Sequence, residues 1–198
     1  GDRLMTKPFK ENDYLKPNDG DIYEDWVDKV NTFKPDLIAL SATEDLWRSG
    51  ISLLKRIRDK GILTIAGGVF PTFAPDLAIE YPEIDIVCKG EGEKAIVELC
   101  NRLSKGICYD DVPNLWIKKN KGIIIKNPLT QVEMNDNPLI DLSIFEEARY
   151  YRPMTGNVYR MFPVEIFRGC PYTCIYCNSP WQAELYKREA NTKFLRRK

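Results

Sequence analysis

Asp36-Leu-Ile-Ala-Leu-Ser41 is a nearly unbroken apolar run of strand length, and its reading decides the fold. A strand with one wet face alternates apolar and polar residues. A run with almost no polar member predicts a strand covered on both faces, as in parallel sheets between helical layers. The flanks agree. Upstream, Asp21-Ile-Tyr-Glu24 is a capping-box-like helix start, with Asp21 as N-cap and Glu24 three residues on. Tyr23, Trp26, Val27, Val30 and Phe33 follow at helical spacing until Pro35 stops the helix. Downstream, Trp47, Ile51, Leu54 and Ile57 predict a second helix, which Gly61 ends. A second run, Ile62-Leu-Thr-Ile-Ala66, leads into Gly67-Gly68, and a short helix is expected around Pro75 to Tyr81. A third run, Ile84-Asp-Ile-Val-Cys88, leads into Gly90-Glu-Gly-Glu93, and a further helix carries its apolar stripe at Ile96, Leu99, Cys100 and Leu103. This alternation predicts an α/β domain with a doubly wound parallel sheet. Three helix-linked strands are visible where such a sheet usually has about five. The opening, Gly1 to Gly20, is polar and unpatterned, so the domain is expected to be N-terminally incomplete.

The character changes after Asp111. Leu115-Trp-Ile-Lys-Lys-Asn-Lys-Gly-Ile-Ile-Ile125 predicts a hairpin around its Asn-Lys-Gly turn. Asn135 to Asp141 is turn-rich and fits a linker. Pro163-Val-Glu-Ile-Phe167 is expected to be a strand that delivers the run Arg-Gly-Cys-Pro-Tyr-Thr-Cys-Ile-Tyr-Cys177. Too few residues follow Cys177 for a catalytic barrel of ~200 residues or more, so the chain is expected to span a domain junction.

Composition narrows the function classes. The 198 residues are 43% hydrophobic, enough for a core, and 29 Lys and Arg balance 29 Asp and Glu. No global field favours nucleic acid or an anionic membrane as partner. The basic tail Lys193-Phe-Leu-Arg-Arg-Lys198 is expected to be a solvated helix face. No apolar run approaches a membrane span, and the first residues lack a signal-peptide core. Of the six cysteines, Cys88 and Cys100 are expected to be small core residues, and Cys108 lies in a loop with no assigned role.

Cys170, Cys174 and Cys177 carry the chemistry. Three thiols separated by three and then two residues can wrap three irons of a cubic 4Fe–4S cluster and leave the fourth iron without a protein ligand. An ordinary electron-transfer cluster is closed by four thiolates, so an open iron points to a small molecule chelated and reductively cleaved there. Two other readings stand beside it. A structural zinc site would need a fourth ligand, and the chain contains no histidine, so another cysteine or a carboxylate would have to serve. Three unrelated core cysteines are the third.

With its three-cysteine spacing, its Arg168-Gly169 lead-in and Tyr176 before the last cysteine, the run resembles the cluster loop of the radical S-adenosylmethionine (SAM) enzymes. The resemblance implies a 4Fe–4S cluster whose open iron is chelated by SAM. Reduction splits SAM into methionine and a 5′-deoxyadenosyl radical. It also places Tyr176 by the adenine and requires free thiolates in a reducing, cytoplasmic compartment.

Three loops follow the apolar runs, where open α/β sheets bind ligands. They are Ser41-Ala-Thr-Glu-Asp45, Gly67-Gly-Val-Phe-Pro71 and Gly90-Glu-Gly-Glu93. Hydroxyls of Ser41 and Thr43 can meet a ligand, or can simply cap the next helix. Gly67 and Gly68 allow a bulky group to approach the backbone, or can simply make a tight turn. Glu91 and Glu93 complement a helix dipole and argue against a phosphate. In this order, ahead of the cysteine loop, the loops resemble the flavodoxin-like cobalamin-binding domain fused to many radical SAM enzymes. The resemblance makes Ser41, Thr43, Gly67 and Gly68 cobalamin contacts. The lower axial histidine of cobalamin mutases has no counterpart in this chain.

The expected division is residues 1–111 as a partial cobalamin-binding-like domain, 112–160 as hairpin and linker, and 161–198 as the start of a radical SAM barrel. The resemblance implies reductive SAM cleavage with methyl transfer from cobalamin to an unactivated carbon. The substrate would be a small molecule or natural product, with flavodoxin or ferredoxin as reductant. The alternatives are radical SAM oxidation or rearrangement on a scaffold domain that binds no cobalamin, and a non-catalytic zinc-stapled module. The piece alone is expected to be inactive.

Overall fold

The computed structural model describes residues 20–155 and 157–197; the expectation for the opening stretch falls almost wholly outside them. Helix α1 (Ile22–Phe33) begins where the Asp21 carboxylate accepts from the Tyr23 amide at 2.7 Å, and it ends at Lys34 in the left-handed region. The chain then alternates β1 (Leu37–Ser41), α2 (Glu44–Lys55), β2 (Leu63–Gly67), α3 (Val69–Phe73), α4 (Pro75–Glu80), β3 (Ile86–Cys88) and α5 (Glu93–Ser104). Gly61, at φ +64°, closes the turn into β2.

Strands β1, β2 and β3 are parallel neighbours, with Ser41 beside Gly67 and Ala66 beside Val87. The predicted hairpin forms as β4 (Leu115–Lys118) and β5 (Ile124–Lys126), and it is part of the same sheet. β4 runs antiparallel to β3, with Val87 opposite Trp116, and β5 closes that edge. The five-stranded sheet is therefore mixed, with a parallel half and an antiparallel half.

Helices cover both faces, as in a doubly wound sheet. One face packs Ile38, Ala66, Val87 and Trp116 against Val30, Trp47, Ile51 and Ile79 from α1, α2 and α4. The other packs Ile65, Ile86, Cys88, Leu115 and Ile117 against Ala95 and Leu99 of α5. Successive residues of β3 and β4 alternate between these cores, as the two-residue period of a strand requires. The expectation of full cover fails at β1, where Ala39 and Ser41 are exposed.

Two further small sheets follow: β6 (Tyr151–Met154) with β7 (Asn157–Arg160), and β8 (Phe167–Arg168) with β9 (Arg196–Arg197), both antiparallel. Helix α6 (Ser179–Glu189) lies between β8 and β9. The expected strand over 163–167 is regular only at Phe167–Arg168. The basic tail is a strand, not a helix face: Phe194 is buried in a third core with Leu129, Leu185 and Tyr186. Cys88 is in the core as expected, but Cys100 is exposed, because α5 turns Ala95 and Leu99 inward and the residue after Leu99 points away. Among the described residues, no helix is long and apolar enough to cross a membrane.

Candidate functional site

A cavity of about 680 Å³ opens at the carboxyl ends of β1, β2 and β3. Its floor is Ala39, Ser41, Ile65 and Gly67; its walls are the turn Gly90–Glu93 with Ile96 and, joined to that turn through Arg168, the residues Arg168, Gly169, Ser179, Gln182 and Phe194. The strand-end loops and the lead-in to the cysteines thus share one cavity.

The two glycines of the second loop do different work. Gly68 has φ +96°, and a Cβ there would lie 2.9 Å from the Ala42 carbonyl oxygen and 3.0 Å from its nitrogen. Its first role is to let the chain turn against the end of β1, where the Phe70 amide donates to the Ala42 carbonyl at 3.2 Å. At Gly67 a Cβ would make only ordinary contact with Cys88, at 3.6 Å, on the cavity floor. Gly67 leaves open room that a flat, bulky ligand can use. Ser41 and Gly68 also line the cavity, whereas Thr43 does not. Thr43 stands at the N-cap of α2 without capping it, and its hydroxyl donates to the Asp45 carboxylate.

The third loop is an anchor. The Glu91 side chain is 4% exposed, and its carboxylate accepts from the Val132 amide at 2.8 Å, from Arg168 at 2.6 Å and from Arg196. Arg168 also meets Glu93 at 2.7 Å and is held by both carboxylate oxygens of Glu165, at 3.0 and 2.7 Å. These bonds, Glu165's first, raise Arg168 further above its usual range. The Glu91 amide donates to the Tyr186 hydroxyl at 2.8 Å, and burial pushes that phenol up. Lys89 pairs with Glu189 at 2.5 Å. The turn that walls the cavity therefore carries α6 and β8, the elements flanking the cysteine loop. Glu91 is a buried ion-pair partner rather than a solvated complement to a helix dipole. Arg196 and Tyr186 were not singled out from sequence, since their link to Glu91 spans about half the chain.

Tyr186→Phe would leave the Glu91 amide without its acceptor in a buried place. It is expected to lower stability by about 1–3 kcal/mol, measured as a fall in the urea midpoint with an unchanged slope.

Cys170, Cys174 and Cys177 are free thiols on one loop, each partly buried. Among the described residues, no three His, Cys, Asp or Glu side chains are gathered as a metal-holding group. The donor set suits iron or zinc: three unpaired thiols, with the Cys177 amide donating to the Cys174 carbonyl at 3.2 Å. The Ser179 hydroxyl and amide, each 3.5 Å from the Cys177 sulfur, hold that thiol below its usual range. Tyr176 is 89% exposed and outside the cavity lining. Cys88 lines the cavity, and burial, with Glu93 nearby, pushes its thiol up to about 12.

Residues 11–100 match the B12 binding domain family. The chain is 31% identical over 171 residues to an anaerobic magnesium-protoporphyrin IX monomethyl ester cyclase of Rubrivivax gelatinosus, covering 82% of this chain and 30% of the relative. It is 28% identical over 166 residues to an uncharacterized methyltransferase of Pyrococcus horikoshii, covering 81% and 35%. The chain thus spans about a third of the length of these curated relatives. Among solved structures it resembles the radical SAM methyltransferase TsrM of Kitasatospora setae, determined with cobalamin and a [4Fe-4S] cluster bound. The TM-score is 0.55 at 20% identity, covering 81% of this chain and 34% of that one, a likeness of fold. The family resemblance carried by the residues is the one these comparisons return.

Proposed function

Because residues 11–100 match the B12 binding domain family, we propose that the chain is the cobalamin-binding part and cluster loop of a radical SAM enzyme. The reaction we propose is reductive cleavage of SAM followed by methyl transfer to an unactivated carbon of a small-molecule or natural-product substrate. Cys170, Cys174 and Cys177 hold a 4Fe–4S cluster in this reading, Tyr176 lies by SAM, and Ser41, Gly67 and Gly68 lie against cobalamin, with Thr43 at the margin. In the proposed division residues 1–111 carry the cobalamin layer, 112–160 the hairpin that completes its sheet and the joining segment, and 161–198 the start of the radical SAM segment. The cluster would supply the electron and cobalamin the methyl group. The chain's own part is to hold the two cofactor segments side by side and limit water between them. Free thiolates and an external reductant such as flavodoxin or ferredoxin suit the cytoplasm.

One observation carries the reading: a single cavity is lined by Ser41 and Gly67 on one side and by Arg168 and Gly169 on the other. The floor suits a corrin ring, since Ala39 and Gly67 put little side chain in its way. With no histidine among these 198 residues, cobalamin would have no imidazole ligand from them. The cyclase relative raises the second reading, in which the radical ends in oxidation or ring closure and no methyl group is transferred.

Anaerobic titration with hydroxocobalamin, followed by electron paramagnetic resonance of the Co(II) form, tests the cobalamin part. The expected result is saturable binding and a Co(II) signal without nitrogen superhyperfine splitting. Gly67→Val is expected to keep the fold and weaken binding by at least about tenfold, or 1.4 kcal/mol. No binding by the wild type would remove methyl transfer and leave radical SAM chemistry on a scaffold.

A further inference from the structure

We infer that Glu91 is a positioning residue that couples the cavity to the cysteine loop, so that filling one orders the other. The inference rests on the reading of cavity and loop just given, and its argument is geometric. Every polar group of Glu91 is engaged, by several separate parts of the chain. Its amide donates to Tyr186 on α6, and its carbonyl accepts from the Asn114 side chain, each at 2.8 Å. One carboxylate oxygen accepts from the Val132 amide at 2.8 Å; the other takes Arg168 at 2.6 Å together with Arg196. Arg168 stands two residues before Cys170, and its backbone pairs with Arg196. Glu91 at the same time lines the cavity.

A carboxylate this buried cannot trade its partners for water, so Glu91 holds Arg168 in one geometry or releases it. The two states are a clamped and a released loop. A ligand that settles the Gly90–Glu93 turn favours the clamped one, and by linkage a settled loop favours the ligand equally. Glu93 also pairs with Arg168 but is more exposed, at 35% of its side chain against 4% for Glu91, so it contributes less to the hold.

Hydrogen–deuterium exchange on the whole chain tests this without activity. In Glu91→Gln, amides of 167–177 and 179–189 are expected to exchange about tenfold faster than in the wild type. Amides of β1 and β2 should be unchanged, and Glu93→Gln should stay within about threefold throughout. Adding hydroxocobalamin should slow exchange over 167–177 in the wild type and leave it unchanged in Glu91→Gln, although the variant still binds the ligand. If Glu91→Gln loses protection in β1 and β2, Arg168→Lys takes its place, since it keeps the charge but not the planar fork. Wild-type exchange over 167–177 in the variant used, with or without ligand, would overturn the inference. Failure of the wild type to bind hydroxocobalamin would overturn the coupling and the cobalamin reading together. The ligand-free comparison would still show separately whether Glu91 holds the loop.

Discussion

Replacing any one of Cys170, Cys174 or Cys177 with alanine is expected to take iron and acid-labile sulfide to background after anaerobic reconstitution. In any preparation where the wild-type sequence cleaves SAM, release of 5′-deoxyadenosine should fall to background as well. The effect is large because the three other cysteines lie outside the loop. The chain has no histidine. Cys88 is buried in the core of the sheet, on β3 and not on the cysteine loop. Cys100 is exposed on α5, and Cys108 is exposed beyond it, so neither belongs to the loop. With two thiolates left, a cubic cluster loses a second iron anchor and not only an open coordination position. Wild-type chain that carries zinc without iron or sulfide would favour the zinc-stapled module. Undiminished SAM cleavage in any one alanine variant would remove the three-cysteine assignment.

The parts of the fold legible in the sequence are those set by neighbours in the chain. The Asp21 cap, the stop at Lys34–Pro35, the three apolar runs and the Gly61 turn each depend on a few adjacent residues. The hairpin was legible as a hairpin. That it would complete the sheet beside β3 was not, although Leu115, Trp116 and Ile117 are all buried, the signature of a strand covered on both faces. Cys100 shows the limit of an apolar stripe: a residue one step past Leu99 is rotated by ~100° around the helix, which is enough to reach solvent.

The candidate site divides the same way. The cysteine spacing and the glycine pair are local patterns, and both could be quoted from sequence. The union of Glu91 with Arg168 and Arg196 is not local: Glu91 alone reads as a complement to a helix dipole, Arg168 as a lead-in to the cysteines and Arg196 as tail charge. Their convergence depends on β8 meeting β9, two strands of two residues each with no apolar pattern to announce them. Only the folded chain makes Glu91 a buried acceptor, and only then does the Gly90–Glu93 turn become the link between cavity and cysteines.

That dependence makes Gly169→Ala the second variant with a large expected effect. Gly169 sits at φ +98°, where an L side chain is strained, and a Cβ would lie 2.8 Å from Leu195 Cα, 3.0 Å from Leu195 N and 3.2 Å from Phe194 C. These are backbone atoms, so no rotamer change relieves the clash; β8 and β9 must move apart. Arg168 and Arg196 would then leave a carboxylate that has no water to replace them, and Phe194 would leave its stack on Tyr186, where the ring centroids are 4.7 Å apart. Gly106→Ala is the matched control. It has φ +63° and nothing within 4 Å of the added Cβ, so it measures backbone strain alone, about 1–2 kcal/mol. Gly169→Ala is expected to cost at least about 2 kcal/mol more than that control in urea unfolding. It should also take up less iron than wild type although all three cysteines remain. Equal midpoints for the two variants would mean that β8 and β9 do not pair closely at Gly169, and the clamp beneath the cysteine loop would lose its support.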